Sequence, residues 1–153
     1  MKYTVIAAGK IKGSDFEPIF NTYLKRIKRP LILHEVNIKG EKTPEKLNQL
    51  ENEKIRSLLP VNSPFIIALD PKGKMFSSTA FVEKLEAIEN DFTTHIVFLI
   101  GGADGLDEKT KESAHILLSF GDATWPHLLA RVMLIEQLYR VQQIRAGHPY
   151  HKE

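Results

Sequence analysis

The sequence predicts an α/β sandwich with a mostly parallel sheet, and three features predict it. Ile96 to Ile100 is an unbroken run of large apolar residues, and Pro64 to Asp70, PFIIALD, is another. Runs without polar alternation suit strands covered on both faces, the usual condition of a parallel sheet. Between them lie helix-length stretches whose apolar residues recur every three or four positions, and strands alternating with such helices form the crossover units that keep neighbouring strands parallel.

The 153 residues, 42% hydrophobic and 26% charged, suit one domain, 1–153, with a sizeable core. The chain has no cysteine, which excludes disulfides, thiolate metal sites and thiol catalysis. No stretch approaches the roughly 20 apolar residues of a membrane helix, and the apolar run at Val5 to Ala8 is too short for a signal peptide. A cytoplasmic protein, away from any membrane, is expected. The net charge of +2 hides an asymmetry. Met1 to Arg29 holds seven Lys or Arg against two acids, whereas Glu83 to Glu112 holds three Lys against eight acids. Clustered cations suit a polyanionic partner, although a solvated helix face has the same composition.

In chain order, YTVIAAGK opens as a strand stopped by Gly9. Ser14 to Glu17 has the pattern of a capping box, and Phe16, Ile19, Phe20, Tyr23, Leu24 and Ile27 mark a helix to about Arg29, ended by Pro30. Lys25, Arg26, Lys28 and Arg29 cluster near its end, where cations also complement the helix dipole. Leu31 to Ile38 reads as a strand. Thr43-Pro44 starts a helix whose inner side is Leu47, Leu50, Ile55, Leu58 and Leu59. PFIIALD then runs into Pro71-Lys72-Gly73-Lys74, read as a turn and a candidate ligand loop. A helix follows from Ser77 to Asn90, with Phe81, Val82, Leu85 and Ile88 inward.

The strand at Ile96 to Ile100 ends in Gly101-Gly102-Ala103-Asp104-Gly105. Ligands of open α/β sheets bind at the carboxyl ends of strands, where the loops diverge. Asp107 caps a helix through about Ile116, Leu117 to Phe120 forms a short strand, and Gly121 to Pro126 is irregular because Pro126 restricts Trp125. The last helix, about Leu128 to Ala146, carries apolar residues well round its circumference, so it is buried on more than one side. A second copy of the chain is one way to cover it, which predicts a homodimer built on this helix.

The glycine loop is not G-x-G-x-x-G and follows a late strand, so a dinucleotide site is disfavoured. No Walker lysine, G-x-S-x-G elbow or H-E-x-x-H is present. Half of the six histidines, His127, His148 and His151, lie in the last 27 residues, and histidine is the side chain most readily placed as a proton acceptor near neutral pH. Pro149, Tyr150 and Lys152 stiffen and polarise that tail.

Five stretches together resemble one family: ALD-x-x-GK at Ala68 to Lys74, FLIGGADGL at Phe98 to Leu106, LSF with T-W-P-H at Leu118 to His127, RVMLIEQLYR at Arg131 to Arg140, and the terminal HPYHKE. The chain resembles the RlmH family, small SPOUT-class methyltransferases of bacterial large-subunit ribosomal RNA, along its whole length. The resemblance implies S-adenosylmethionine-dependent methylation of N3 of a pseudouridine in 23S rRNA, on the assembled ribosome, by a homodimer. It also implies a sheet whose C-terminal part is threaded as a trefoil knot, which no pattern argument predicts. Carried over by position, the cofactor contacts fall on Leu69, Gly101, Phe120, Gly121, Asp122, Ala123, Thr124 and Trp125. Leu69 and Phe120 suit an apolar adenine slot, irregular backbone at 121–125 suits its polar edge, and Gly101 lets the main chain approach the ligand.

No metal is needed, because the sulfonium is already a good leaving group. The acceptor nitrogen carries an imide proton, so the base must be positioned and that proton removed. The tail is the expected catalytic element, with Tyr150 stacking or hydrogen bonding, His151 nearest the proton transfer, and His148 beside them. Arg131, Arg140 and Arg145, with the cluster at Lys25, Arg26, Lys28 and Arg29, are candidate phosphate contacts. The alternatives are a nonenzymatic RNA or nucleotide binder on the same fold, and a SPOUT methyltransferase with a different RNA target.

Overall fold

A computed structural model describes residues 1–40, 43–91 and 93–152. Its elements are β1 (Lys2–Ala8), α1 (Glu17–Arg26), β2 (Leu31–Val36), α2 (Pro44–Ser57), β3 (Phe65–Met75), α3 (Ser78–Asn90), β4 (His95–Ile100), α4 (Glu108–Glu112), β5 (Ile116–Ser119) and α5 (His127–Arg145). The five strands form one sheet in the order β2-β1-β4-β3-β5, and every neighbouring pair is parallel. Among the described residues no helix is long and apolar enough to cross a membrane.

The strands alternate their side chains between two apolar layers. Tyr3, Val5, Ala7, Ile67, Ile96 and Phe98 face α1, α3 and α5. Ile6, Ala8, Ile66, Ala68, Val97 and Leu99 face α2 and the segment around α4. Both sides of β1, β3 and β4 are therefore covered, which is why their sequences lack alternation. Because all strands run the same way, Ala8, Leu69, Ile100 and Ser119 end at one edge. The loops that follow them converge there.

Several boundaries differ from the sequence expectation for identifiable reasons. Ser14 forms no capping box: its hydroxyl donates to the Ile11 carbonyl at 2.6 Å and accepts from Phe16 N–H at 3.3 Å, making a turn ahead of α1. Phe16 is the cap residue, and α1 stops at Arg26 because Ile27 is extended. α4 ends at Glu112 rather than near Ile116. His115 is drawn into pairing with β3, its N–H donating to Ile66 O at 2.8 Å and its ring Nδ1 accepting from Ile66 N–H at 2.9 Å. Pro71 to Lys74 is no free turn but a bulge within β3, since Leu69 and Lys74 both pair with Leu118. Gly73 permits this bulge, because a Cβ there would lie 2.5 Å from the Leu117 carbonyl oxygen.

The helix predicted to be buried on more than one side, α5, has no fully exposed residue within a single chain. The chain's own sheet, α1, α3 and C-terminal tail already cover much of it, so its breadth of apolar surface does not by itself require a second copy. Its one fully buried charged side chain is Arg131, at 0% exposure, which overturns its expected role as a phosphate contact. The guanidinium donates to the Ala8 and Gly9 carbonyls at 3.0 Å each and pairs with Glu35. Glu35 Oε2 also accepts from Ile11 N–H at 2.8 Å. Arg131 thus joins the ends of β1 and β2 to the start of α5. Arg131→Met should strand Glu35 and two carbonyls, lowering unfolding free energy by about 3–5 kcal/mol in urea titration. A loss below about 1 kcal/mol would contradict the anchoring role.

Candidate active site

A cavity of about 140 Å³ opens at the converging loops, lined by Leu69 and Asp70 of β3, Gly101 and Gly102 after β4, and Phe120 and Trp125 after β5. Leu69, Gly101, Phe120, Gly121, Thr124 and Trp125, all expected at a cofactor site, line it together. Asp122 and Ala123 are exposed and stand outside the lining. Pro71, Ala103 and Gly105 of the same loops line it too, as do Ile100, Leu118, His127 and Ala130, which were not foreseen as contacts. An adjoining cavity of about 250 Å³ shares Leu69, Asp70, Ala103 and Gly105 and adds Lys111. A nucleoside-sized ligand needs roughly 300 Å³ or more, so it must span both cavities or displace Trp125, which is 41% exposed.

Each wall is held by specific bonds. At the bulge of β3, Asp70 accepts from Lys72 N–H at 2.9 Å and pairs with Lys111 Nζ at 2.8 Å. Burial raises the Asp70 pKa, but the Lys111 ammonium and the Lys72 N–H outweigh it, and the carboxyl is held below its ordinary range. After β5, Ser119 Oγ donates to Pro71 O at 2.9 Å and accepts from Gly121 N–H at 3.0 Å. Gly121 has φ +122°, a conformation closed to other residues without strain. His127, at the start of α5, packs so closely on Gly9 that a Cβ there would lie 2.7 Å from its Nε2. Burial, reinforced by neighbouring Arg131, lowers the His127 pKa and favours the neutral ring.

The glycines of the loop after β4 serve internal packing first. A Cβ on Gly101 would sit 2.4 Å from the Gly105 carbonyl carbon, and one on Gly102 would sit 2.7 Å from the Glu51 carboxylate. Gly105 N–H donates to Gly102 O at 3.0 Å. The absent side chain at Gly101, read as making room for a ligand, makes room for Gly105. Gly101→Ala should therefore destabilise the fold even without ligand, by about 1–3 kcal/mol on chemical denaturation. Gly105→Asn, at φ +75° with nothing near its Cβ position, should cost less, because asparagine tolerates the left-handed region. Equal costs at the two positions would refute this account.

The expected catalytic tail lies elsewhere. Tyr150 OH donates to Glu136 at 2.9 Å, its ring meets Tyr139 edge-on at 4.8 Å, and Arg140 lies over it at 4.8 Å. Burial, with Tyr23 and Glu136 beside it, pushes the Tyr150 pKa well up, so the phenol keeps its proton. His151 Nδ1 faces Arg140 Nη1 at 3.2 Å, and its Nε2 is buried without a partner. His148 is exposed and accepts from Tyr150 N–H at 3.1 Å. At 1.5 Å per residue, Glu136 to Arg140 is about 9–15 Å along the helix from Ala130. None of His148, Tyr150 and His151 lines the cavity of its own chain.

Other candidate phosphate contacts are also engaged. Arg29 and Arg145 share Glu89 at 2.6 and 3.0 Å, and Arg140 pairs with Glu136 at 2.6 Å. Lys25, Arg26 and Lys28 remain exposed.

Residues 1–151 match the family model described as predicted SPOUT methyltransferase. The chain is 40% identical to a Rhodospirillum centenum protein named ribosomal RNA large subunit methyltransferase H, covering 99% of each chain. It is 41% identical to a protein of the same name from Streptococcus uberis, over 99% of this chain and 100% of the relative. Among solved structures, a probable methylase family protein from Haemophilus influenzae shares the fold, with TM-score 0.54 at 12% identity, covering 99% of this chain and 70% of that one. A family match over residues 1–151 together with full-length identity of this order settles the kinship: the chain belongs to the SPOUT methyltransferase family, among the large-subunit ribosomal RNA methyltransferases H.

Proposed function

We propose that this chain methylates N3 of a pseudouridine in 23S rRNA, using S-adenosylmethionine, on assembled ribosomes in the cytoplasm and as a homodimer. The observation that carries the methyl-donor reading is the joining of three separate loops, at Leu69, Gly101 and Phe120 to Trp125, around one cavity. The trefoil knot implied by the family resemblance belongs to the same reading.

The residues present fit the donor. Leu69, Leu118, Phe120 and Trp125 offer an apolar slot for adenine, and irregular backbone beside them offers polar contacts to its edge. When bound, S-adenosylmethionine supplies an electrophilic methyl group on a positively charged sulfur. The neutral form favoured at His127 adds no opposing positive charge to that pocket. Holding the donor and the acceptor nitrogen in line is the chief task of the protein, since alignment alone lowers the barrier substantially.

The tail is the proposed partner of the target base. Because Arg140 can only donate, His151 Nδ1 acts as acceptor and its Nε2 carries the hydrogen. In that form His151 can donate to a pyrimidine carbonyl, and it becomes a proton acceptor only when Arg140 releases Nδ1. Tyr150 retains its proton and contributes as donor and aromatic surface. A tail so far along α5 from its own pocket supports a homodimer in which it serves the partner's. A groove of about 500 Å³ between α1, β3 and α5, with exposed Ile19 and Met75 at its rim, supports the same assembly.

Radiolabelled methyl transfer to ribosomes lacking the modification, followed by mapping, tests the reaction. Label at a pseudouridine N3 is expected; cofactor binding with no incorporation would favour a nonenzymatic binder, and label elsewhere a different RNA target. In the same assay a chain truncated after His148 should bind S-adenosylmethionine normally but lose at least ~10²-fold in rate. Unchanged turnover would remove the tail from the mechanism. Sedimentation at micromolar concentration should give a dimer, and monomer alone would defeat the assembly.

A further inference from the structure

We propose that Asn48 and Asn52 of α2 are positioning residues for the methyl donor, holding the glycine loop 101–105 in the shape that walls the pocket; this rests on the pocket reading above. The loop has little of its own to hold it. Gly101, Gly102 and Gly105 lack side chains, and glycine segments lose the most conformational freedom on ordering. Within the loop the Gly105 N–H bond to Gly102 O, at 3.0 Å, closes a single turn.

The remaining hold comes from α2. Gly105 O accepts from Asn48 Nδ2 at 2.9 Å and from Asn52 Nδ2 at 3.3 Å. Asn52 Oδ1 accepts from Asp107 N–H at 3.0 Å, and Asn52 Nδ2 also donates to Asn48 O at 2.9 Å. The Glu51 carboxylate packs on Gly102 from the same helix. Asn52 is fully buried, at 0% exposure. Asparagine is a poor helix former, and burying its amide is unfavourable unless every polar atom is bonded. A leucine would serve packing alone. What asparagine adds is a donor for a loop carbonyl and an acceptor for the N–H two residues on.

The consequence reaches the cavity. With Gly105 O held by two amide donors of α2, Gly101, Gly102, Ala103 and Gly105 itself stand along the ligand space. The wall is fixed before the ligand arrives, so binding need not pay to order it. Arg56 continues the stripe one turn on but bonds Asp107 and Thr110 rather than Gly105. It is a built-in control.

The test compares wild type, Asn48→Ala, Asn52→Ala and Arg56→Ala by calorimetric titration with S-adenosylmethionine, by melting temperature and by amide hydrogen exchange of the free chain. Both asparagine variants should bind about tenfold more weakly and exchange faster at 102–107, and their double variant should lose less than the product, because they share one acceptor. Arg56→Ala should lower the melting temperature while affinity stays within about twofold. Asparagine variants with wild-type affinity and exchange would overturn the proposal, leaving only a structural role. Should Asn52→Ala fail to fold, the half-buried Asn48→Ala carries the test. A wild-type chain that binds no S-adenosylmethionine would instead overturn the pocket reading, and the exchange data would still judge the clamp.

Discussion

The buried guanidinium of Arg131 ties together parts of the chain that are far apart in sequence. It bonds the last carbonyl of β1, the carbonyl of Gly9 and the Glu35 carboxylate of β2, while its own backbone lies in the first turns of α5. Burial lowers the Arg131 pKa, and the Glu35 carboxylate opposes that shift without cancelling it. A charge held this way is expensive to misplace, so α5 can begin at only one position relative to the sheet edge. His127 and Ala130, which line the cavity, inherit that position, as does the 120–126 segment leading into the helix.

Glycine does the complementary work on the other walls. At Gly73 the main chain of β3 closes on that of β5, at Gly101 the loop after β4 closes on itself, and at Gly9 the loop after β1 closes on His127. All three contacts are backbone or ring against a missing Cβ. Of the three, only Gly101 lines the cavity, and there the missing Cβ first makes room for the loop's own backbone. A glycine at a pocket is therefore ambiguous evidence of ligand approach until its nearest neighbour is known.

That ambiguity marks what could be read from the sequence. The core strands and α3 were legible, because a continuous apolar run or a Phe81-Val82-Leu85-Ile88 stripe admits one reading, and all four of those side chains are buried. Joining Leu69, Gly101 and Phe120 to Trp125 required the family resemblance, since nothing local says that three loops meet. Boundaries decided by long-range bonds were missed, as where His115 pairs with Ile66 and ends α4. Arg131 was misread for a different reason. It lies in the apolar run ahead of the polar half of α5, beside Val132, Leu134, Ile135 and Leu138, all of them buried. Residue type alone, a cation near the end of a candidate RNA-binding chain, does not separate a phosphate contact from a buried anchor; the partners at Ala8, Gly9 and Glu35 do.

The tail shows how an observed arrangement constrains a chemical one. Glu136 accepts from both Tyr150 OH and Arg140, and Arg140 in turn covers the Tyr150 ring and holds His151 Nδ1. Tyr150 and His151 are thus committed to the same carboxylate or to the arginine it holds, while His148 stays exposed and bonds only the Tyr150 N–H among the described contacts. On the role proposed for the tail, a base stacking on Tyr150 would compete with Arg140 for that ring, and moving Arg140 would take the donor away from His151 Nδ1.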